Sequence, residues 1–265
     1  NEDSFGAEKL KYEENSDEFI TSSDGNFRPV NTYTGPDGCL YIVDMYRGVI
    51  QEKSFMTPYL KQEILRLNYD KNIGRGRIYR VRRNGVSLGE TPNLLDAEPN
   101  QLVTILRHSN GWWRDMAQNI IVTRKLVEVV PDLEKMLLGD SMPLARLHAL
   151  WALQGLSKLD KDIVKSALQD NDDRIVCAAL RVMNWSQSEY SYLDKIIEGA
   201  NPEVVAHIIL ALGKNSYEHN KDLIIKCISR FPMNERILRS VVAVTPKNFL
   251  SNNEFDSINN FFYKP

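Results

Sequence analysis

The chain has 265 residues, of which 43% are hydrophobic and 26% are charged, and its formal net charge is −2. This composition is typical of a globular protein, and the length suits two domains, since domains cluster at about 100–200 residues. The chain lacks the excess of Lys and Arg over Asp and Glu that is typical of nucleic-acid-binding proteins, so nucleic acid is not a favoured partner. No apolar run reaches the roughly 20 residues that span a bilayer, so no membrane-spanning segment is predicted. The N-terminal residues contain neither an initiator methionine nor a signal peptide, and we expect the chain to be part of a longer protein.

A β-hairpin is predicted in the N-terminal third. Two β-rich runs, Arg28–Thr34 and Cys39–Met45, flank the turn Gly35-Pro36-Asp37-Gly38. In this turn the proline presets φ at the second position and the final glycine allows a positive φ. A third short strand is predicted at residues 74–81. Residues 1–23 predict two short strands, or one strand with a lead-in.

The predicted sheet is interrupted by an insertion of about residues 49–73, which is longer than an ordinary hairpin loop. Within it, residues 57–67 predict a helix, with Thr57 as the N-cap and Pro58 at the first helical position. Long insertions serve either as functional lids or as surface decoration, and both interpretations stay open here.

Beyond residue 83 the pattern becomes helical, after a linker at residues 84–99 that is punctuated by proline and glycine. Ten helices are predicted, at Asn100–Arg107, Gly111–Lys125, Glu128–Leu138, Pro143–Gly155, Lys161–Asp170, Asp173–Asn184, Tyr190–Glu198, Pro202–Gly213, His219–Arg230 and Asn234–Val244. The aromatic-rich residues 248–265 predict a C-terminal cap that would shield the last helices.

The helices form five pairs that repeat about every 30 residues. The first turns of the second helices are taken at Trp113, Pro143, Asp173, Pro202 and Asn234. Four residues further on stand Ala117, Leu147, Cys177, Ala206 and Leu238, and seven residues further on stand Ile120, Leu150, Leu180, Ile209 and Val241. Both columns are apolar and share one helix face, so the pairs can stack around a continuous core. The predicted fold is mainly α, a HEAT-like α-solenoid or α-α superhelix preceded by a small β-sheet.

The three cysteines are scattered along the chain, and no Cys-x-x-Cys or Cys-x-x-Cys-His motif occurs. A zinc ribbon and a covalently attached haem are therefore excluded within these residues. Cys177 and Cys227 lie in apolar helical runs and are predicted to be buried free thiols, with a disulfide between them as the alternative.

Several motifs resemble a known family. They are Arg28-Pro29-Val30, Gly35-Pro36-Asp37-Gly38 with Leu40-Tyr41, Asp44, Gly76-Arg77-Ile78-Tyr79-Arg80-Val81, the run from Ser109 to Gln118 and the run from Pro143 to Leu153. The first four resemble the last blade of the glucose/sorbosone dehydrogenase-like β-propellers. Together, the motifs are similar to the large bacterial membrane-bound dehydrogenases of planctomycetes, verrucomicrobia and Bacteroidetes. In that family a propeller precedes HEAT repeats and often a c-type cytochrome domain.

The resemblance implies a division into a partial propeller blade at residues 1–83, the linker at 84–99 and the HEAT-like superhelix with its cap at 100–265. It implies a fragment of a periplasmic or otherwise extracytoplasmic sugar or alcohol dehydrogenase, in which the helical part is a scaffold between the propeller and an electron-accepting domain. The partners would be the missing blades and a cytochrome-like domain. Pyrroloquinoline quinone (PQQ) and haem c would belong to the parent protein, and this segment alone would be inactive. The alternative is a non-catalytic module that binds a protein or polysaccharide and carries a structural β cap.

Five residues of the predicted sheet are candidate site residues. The resemblance places Arg28 at the start of the innermost strand, where it would pair with a carboxylate of the quinone or substrate; the alternative is an ion pair with Asp24 or Asp44. Tyr46 and Arg47 are candidates for the wall of the same pocket. Asp37 and Asp44 are weak candidates for calcium or substrate, against ordinary turn and strand-end hydrogen bonding.

Related quinone dehydrogenases use a histidine base, whereas all four histidines here, His108, His148, His207 and His219, follow the predicted sheet. We expect His148 and His207 to be structural rather than metal ligands. Trp112 and Trp113 are predicted to anchor the first repeat against the blade. A row of arginines is predicted to form either a groove for an acidic partner or a solvated face; its members are Arg124, Arg146, Arg174 and Arg181.

Overall fold

A computed structural model describes residues 19–89, 92–183, 190–213, 217–232 and 234–244. Most of the predicted lead-in and the whole predicted C-terminal cap lie outside these residues. The described chain divides into two compact units. The first comprises residues 19–97 and 108–116, and the second comprises residues 98–107 and 117–244.

The first unit contains a three-stranded antiparallel sheet. Its strands are β1 (Pro29–Thr34), β2 (Leu40–Asp44) and β3 (Arg77–Val81), in the order β1-β2-β3. Gly38 closes the hairpin turn with a φ of 75°, a left-handed conformation that glycine adopts without steric cost. The predicted hairpin and third strand are confirmed.

The insertion between β2 and β3 holds helix α1 (Pro58–Arg66). The Thr57 side chain accepts a hydrogen bond from the backbone N–H of Leu60 (3.2 Å), and Pro58 occupies the first turn. Ile64 is the buried residue of this helix, at 7% exposure. Both the predicted cap and the predicted helix are confirmed, because cap chemistry is local and can be read from sequence.

The rest of the described chain is helical, so the fold is mainly α with a small sheet. Ten further helices follow: α2 (Pro99–Ile105), α3 (Gly111–Thr123), α4 (Val130–Gly139), α5 (Pro143–Gly155), α6 (Lys161–Ala167), α7 (Asp173–Val182), α8 (Tyr190–Gly199), α9 (Pro202–Leu212), α10 (Tyr217–Arg230) and α11 (Glu235–Val244). Each corresponds to a predicted helix to within a few residues. The predicted linker also contains a 3-10 turn, Leu94–Asp96.

Successive second helices contact one another in the second unit. Helix α5 packs on α7, α7 packs on α9, and α9 packs on α11. Most members of the predicted apolar columns are buried: Leu150, Leu180 and Ile209 are fully buried, whereas Ile120 and Leu147 are half-buried. Each fully buried side chain of this kind contributes about 1.5–3 kcal/mol to the stability of the unit through burial.

Polar groups repeat with the same period. The side chains of Asp140 and Asp170 each accept the backbone N–H two residues further on, at 2.9 and 2.8 Å. Gln118 and His148, 30 residues apart, are joined by a side-chain hydrogen bond of 2.7 Å. Arg146 of α5 forms an ion pair with Asp170. The spacing of about 30 residues therefore occurs in side-chain hydrogen bonds as well as in the apolar positions.

The cysteines Cys39, Cys177 and Cys227 are free and buried, which confirms the predicted free thiols and shows that the alternative disulfide is not formed. Burial raises the pKa of Cys177 and that of Cys227 to about 12. Within the described ranges, no helix is both long and apolar enough to cross a membrane.

Candidate functional site

Polar residues gather at the end of the sheet where β1 and β3 begin and β2 ends. The strand register places Pro29 opposite Asp44, and Asp44 opposite Arg77. Arg28 directly precedes β1, and Tyr46 follows β2 by two residues. Residues that are far apart in sequence thereby share one end of the sheet, which we call the polar end.

Asp44 is the buried centre of the polar end, with an exposure of 1%. Its Oδ1 atom accepts hydrogen bonds from the backbone N–H groups of Arg28 (2.8 Å) and Tyr46 (2.7 Å). Its Oδ2 atom is buried and has no hydrogen-bond partner among the described residues. The carboxylate thus ties the chain before β1 to the chain after β2, which is the strand-end role that the sequence offered as the alternative to a metal or substrate.

The guanidinium group of Arg28 points to main-chain oxygens. It donates hydrogen bonds to the carbonyls of Phe27 (3.1 Å) and Gly48 (3.4 Å), and it lines a hollow of about 250 Å³. Within the described chain it forms no ion pair with Asp24 or Asp44, so the predicted ion pair is not observed. The reason is that Asp44 accepts the backbone N–H of Arg28 rather than its side chain.

Tyr46 connects two charged groups. Its hydroxyl donates to Oδ2 of Asp24 (2.7 Å), and the guanidinium carbon of Arg77 lies 3.4 Å from its ring centroid, a cation–π contact. The hydrogen bond to Asp24 raises the pKa of Tyr46. Hydrogen bonds from the Asn26 backbone and then from Tyr46 lower the pKa of Asp24. Tyr46 has a φ of 46°, a left-handed conformation that is uncommon outside glycine, so the surrounding contacts hold it there.

We expect Tyr46→Phe to raise the pKa of Asp24 toward its ordinary value, because one hydrogen-bond donor is removed. A depressed folded-state pKa means that Asp24 stabilises the fold above its unfolded pKa and loses this contribution as the pH falls through the folded pKa. The variant should therefore lose more stability at neutral pH than at about pH 3. Urea unfolding at both pH values measures this difference.

The control is Tyr59→Phe, because the side chain of Tyr59 is on α1 and Tyr59 is 73% exposed. It should change stability little at either pH. An equal loss for Tyr46→Phe at both pH values would show that the hydroxyl does not act through Asp24.

Arg47 lines a separate groove beside the insertion helix, with a volume of about 800 Å³. One wall is the segment of residues 45–56, and the other is the side of α1 that carries Lys61, Ile64 and Leu65. The groove and the smaller hollow share Val49, Ile50, Gln51, Ile64 and Tyr69 as lining residues. The structure therefore places Arg28 and Arg47 along two adjoining depressions, whereas Tyr46 lines neither of them.

The opposite end of the sheet is fastened by Asp37. Its carboxylate accepts hydrogen bonds from the backbone N–H of Cys39 (3.1 Å) and the hydroxyl of Tyr41 (3.0 Å), and it pairs with Arg80 (3.4 Å). Burial would raise its pKa, but these donors outweigh burial and the pKa of Asp37 is lowered. Strand β2 separates Asp37 from Asp44 by roughly 20 Å. The two carboxylates therefore do not meet, and no cluster of three or more His, Cys, Asp or Glu side chains that could hold a metal is found among the described residues.

Trp113 packs against the hairpin turn within the first unit. It is 9% exposed, its indole N–H donates to the carbonyl of Pro36 (2.9 Å), and its ring stacks on His108 at 5.0 Å. Trp112 contacts it edge-on at 6.0 Å. Asn110, which the sequence interpretation missed, donates to the carbonyl of Gly35 (2.8 Å). One feature of the sequence could have identified Asn110: it stands 30 residues before Asp140, which is the spacing of the predicted helix pairs.

The comparisons with known proteins concern mainly the first unit. Residues 2–85 match a family model described as a domain of unknown function, DUF7133. No curated protein and no solved structure matches the chain. The matched stretch contains the sheet, the polar end and the insertion helix.

His148 and His207 of the helical part each have a hydrogen-bonding group beside the imidazole ring, as expected for structural histidines. His148 bonds to Gln118, and Nδ1 of His207 lies 3.0 Å from the carbonyl oxygen of Glu203. Burial, followed by the charge of Arg181, lowers the pKa of His207.

The predicted arginine row is divided. Arg146 pairs with Asp170, and Arg174 pairs with Asp172 at 2.8 Å. Arg181 lies over the ring of Trp151 at 5.7 Å. Arg124 is exposed. Because two of the four charges are committed to neighbouring acids, the row does not form a continuous basic groove.

Proposed function

We propose that the chain supplies one β-propeller blade and a HEAT-like scaffold to an extracytoplasmic sugar or alcohol dehydrogenase. The observation that carries the proposal is the exposed apolar surface of the sheet. Val30, Tyr33 and Ile78, on the two edge strands, are 54%, 58% and 67% exposed. A lone three-stranded sheet with apolar edge strands suits packing against further sheets, as neighbouring propeller blades provide.

The contacts between successive second helices support the scaffold part of the proposal. A chain of contacts from α5 through α7 and α9 to α11, at a period near 30 residues, suits stacked short HEAT-like repeats. In the proposed enzyme this α-α superhelix connects the propeller to an electron-accepting, cytochrome-like domain. The haem would belong to that domain, because the 265 residues contain no Cys-x-x-Cys-His motif.

Residues near the polar end fit one edge of an anionic quinone such as PQQ, which supplies the hydride acceptor when bound. Among the described residues, Arg28 uses two of its five N–H groups on carbonyls, and Arg47 uses one, on the carbonyl of Val49. Both guanidinium groups retain donors for a carboxylate. Tyr46, held by Asp24, would orient the loop that carries Arg47.

The test is to express residues 1–265 alone and together with whatever sequence the gene encodes on either side. With an aldose, an artificial electron acceptor and added PQQ, the longer protein should reduce the acceptor and residues 1–265 alone should not. Arg28→Ala in the longer protein should weaken quinone binding about tenfold or more, because a charge-assisted hydrogen bond is lost. Turnover by residues 1–265 alone, or none by the longer protein, contradicts the proposal.

A second candidate is an interaction module without redox chemistry, favoured by a row on the second helices. Trp151, Arg181, Leu210 and Val242 stand at equivalent positions, eight residues after Pro143, Asp173, Pro202 and Asn234 respectively. Leu210 and Val242 are 42% and 37% exposed. Such a mixed apolar and basic row suits a protein or polysaccharide partner. A longer protein that shows no quinone-dependent turnover would favour this function.

A further inference from the structure

The groove beside the insertion helix combines unpaired positive charge with apolar walls. Its lining carries three basic side chains, Arg47, Lys53 and Lys61, against one acidic side chain, Asp70. Lys53 and Lys61 form no ion pair within the described chain. The groove is therefore electropositive on a protein whose overall charge is −2.

The walls between these charges are apolar and open to solvent. Met45, Ile50 and Leu65 line the groove and are 42%, 64% and 66% exposed. Ile64 forms a buried part of the lining, at 7% exposure. Apolar side chains exposed side by side in a concave surface are typical of ligand sites, in which a few polar groups fix the orientation of the ligand.

We propose that this groove binds a small organic anion with an apolar body, such as a long-chain carboxylate or an aromatic sulfonate. The apolar body would cover Met45, Ile50 and Leu65, and the anionic group would lie between Lys53 and Lys61. The volume of about 800 Å³ is within the roughly 300–1,000 Å³ of drug-sized ligand sites. The inference does not rest on the dehydrogenase proposal, because it requires neither a quinone nor turnover.

The charges favour an anion over a neutral apolar molecule. Arg47 lines the groove and its Nε–H donates to the carbonyl of Val49 (3.2 Å), whereas its terminal N–H groups have no hydrogen-bond partner among the described residues and can donate to a ligand. A neutral ligand would leave Lys53 and Lys61 unpaired beside an apolar body. An anion pairs with them while its apolar body is removed from water.

The experiment compares two fluorescent probes that share one aromatic body. These are 8-anilinonaphthalene-1-sulfonate, which carries the anionic group, and N-phenyl-1-naphthylamine, which lacks it. The full chain should bind the sulfonate saturably, and at least tenfold more tightly than the neutral amine. Equal affinities for the two probes, or no saturable binding of the sulfonate, would overturn the proposal.

Charge reversal locates the site. Lys53→Glu/Lys61→Glu should weaken sulfonate binding at least tenfold and leave the neutral amine unchanged. The matched control is Lys158→Glu/Lys195→Glu, which makes the same charge change at two exposed positions on the helical unit. Circular dichroism spectra should show that both variants are folded. An equal loss in both would attribute binding to overall charge and overturn the groove assignment.

A third experiment tests whether the groove binds a free small anion or the surface of a lipid bilayer. Vesicles of phosphatidylcholine with phosphatidylglycerol present anionic groups above an apolar layer. The chain should remain in the supernatant when these vesicles are sedimented, because the ligand is taken into a groove. Sedimentation that is lost in Lys53→Glu/Lys61→Glu would assign the groove to a membrane surface and overturn the small-molecule proposal.

Discussion

Trp113→Ala is expected to lower the free energy of unfolding of the first unit by about 3–5 kcal/mol. The indole is 9% exposed, and its N–H satisfies the carbonyl of Pro36. Alanine would leave a cavity at the hairpin turn and would remove the shorter of the two hydrogen bonds that the carbonyl of Pro36 accepts, the other coming from the Asn110 side chain at 3.3 Å. Since domains are stable by only about 5–15 kcal/mol, this change should be visible in urea unfolding followed by circular dichroism.

Two further variants separate the contributions of Trp113. Trp113→Phe keeps an aromatic ring but removes the N–H, and it should cost about 0.5–1.5 kcal/mol, the net contribution of the hydrogen bond to the carbonyl of Pro36, which keeps its second bond from Asn110. Trp112→Ala should cost less than Trp113→Ala, because Trp112 is only half-buried. If Trp112→Ala is the more damaging of the two alanine variants, the proposed anchoring role of Trp113 is wrong.

Asp170→Ala should destabilise the helical unit by about 3–5 kcal/mol. Its ion-pair partner Arg146 has a side chain that is only 16% exposed, and the Nε atom of Arg146 is already buried without a partner among the described residues. Removing Asp170 takes away the ion-pair partner of a largely buried positive charge, and it also removes the acceptor for the backbone N–H of Asp172. Urea unfolding at neutral pH measures the loss.

The control for Asp170→Ala is a double variant that removes both charges of the ion pair between Asp170 and Arg146. Asp170→Asn can keep the hydrogen bond to the Asp172 backbone while removing the negative charge. Adding Arg146→Met removes the unpaired positive charge, so the double variant should recover most of the stability lost in Asp170→Asn. If Arg146→Met restores nothing, the cost comes from the turn and not from the ion pair.

The helices could be predicted because their signals are local. Pro143 at the first turn and the apolar column through Leu150 define α5 without reference to the rest of the chain. Thr57 and Pro58 define the start of α1 in the same way. Capping and helical periodicity involve residues within four positions of each other, so a single sequence carries them.

The polar end could be predicted only in part, because its contacts join distant residues. The sequence identified Arg28 and Tyr46, but it did not show that Tyr46 binds Asp24, 22 residues away, or that Arg28 bonds to the carbonyl of Gly48. Asn110 and Gly35 are 75 residues apart. Such pairs depend on the tertiary fold, and no local pattern encodes them.

The contacts from α5 to α11 bear on how the length of the helical part can evolve. In the proposed HEAT-like scaffold, in which α5, α7, α9 and α11 pack in succession, a duplicated or deleted stretch of about 30 residues would meet the same apolar columns that it replaced. Such a scaffold could lengthen or shorten by whole helix pairs without a new kind of interface. The sheet offers no such freedom, since its polar end depends on single residues such as Asp44, whose loss would release two chain segments at once.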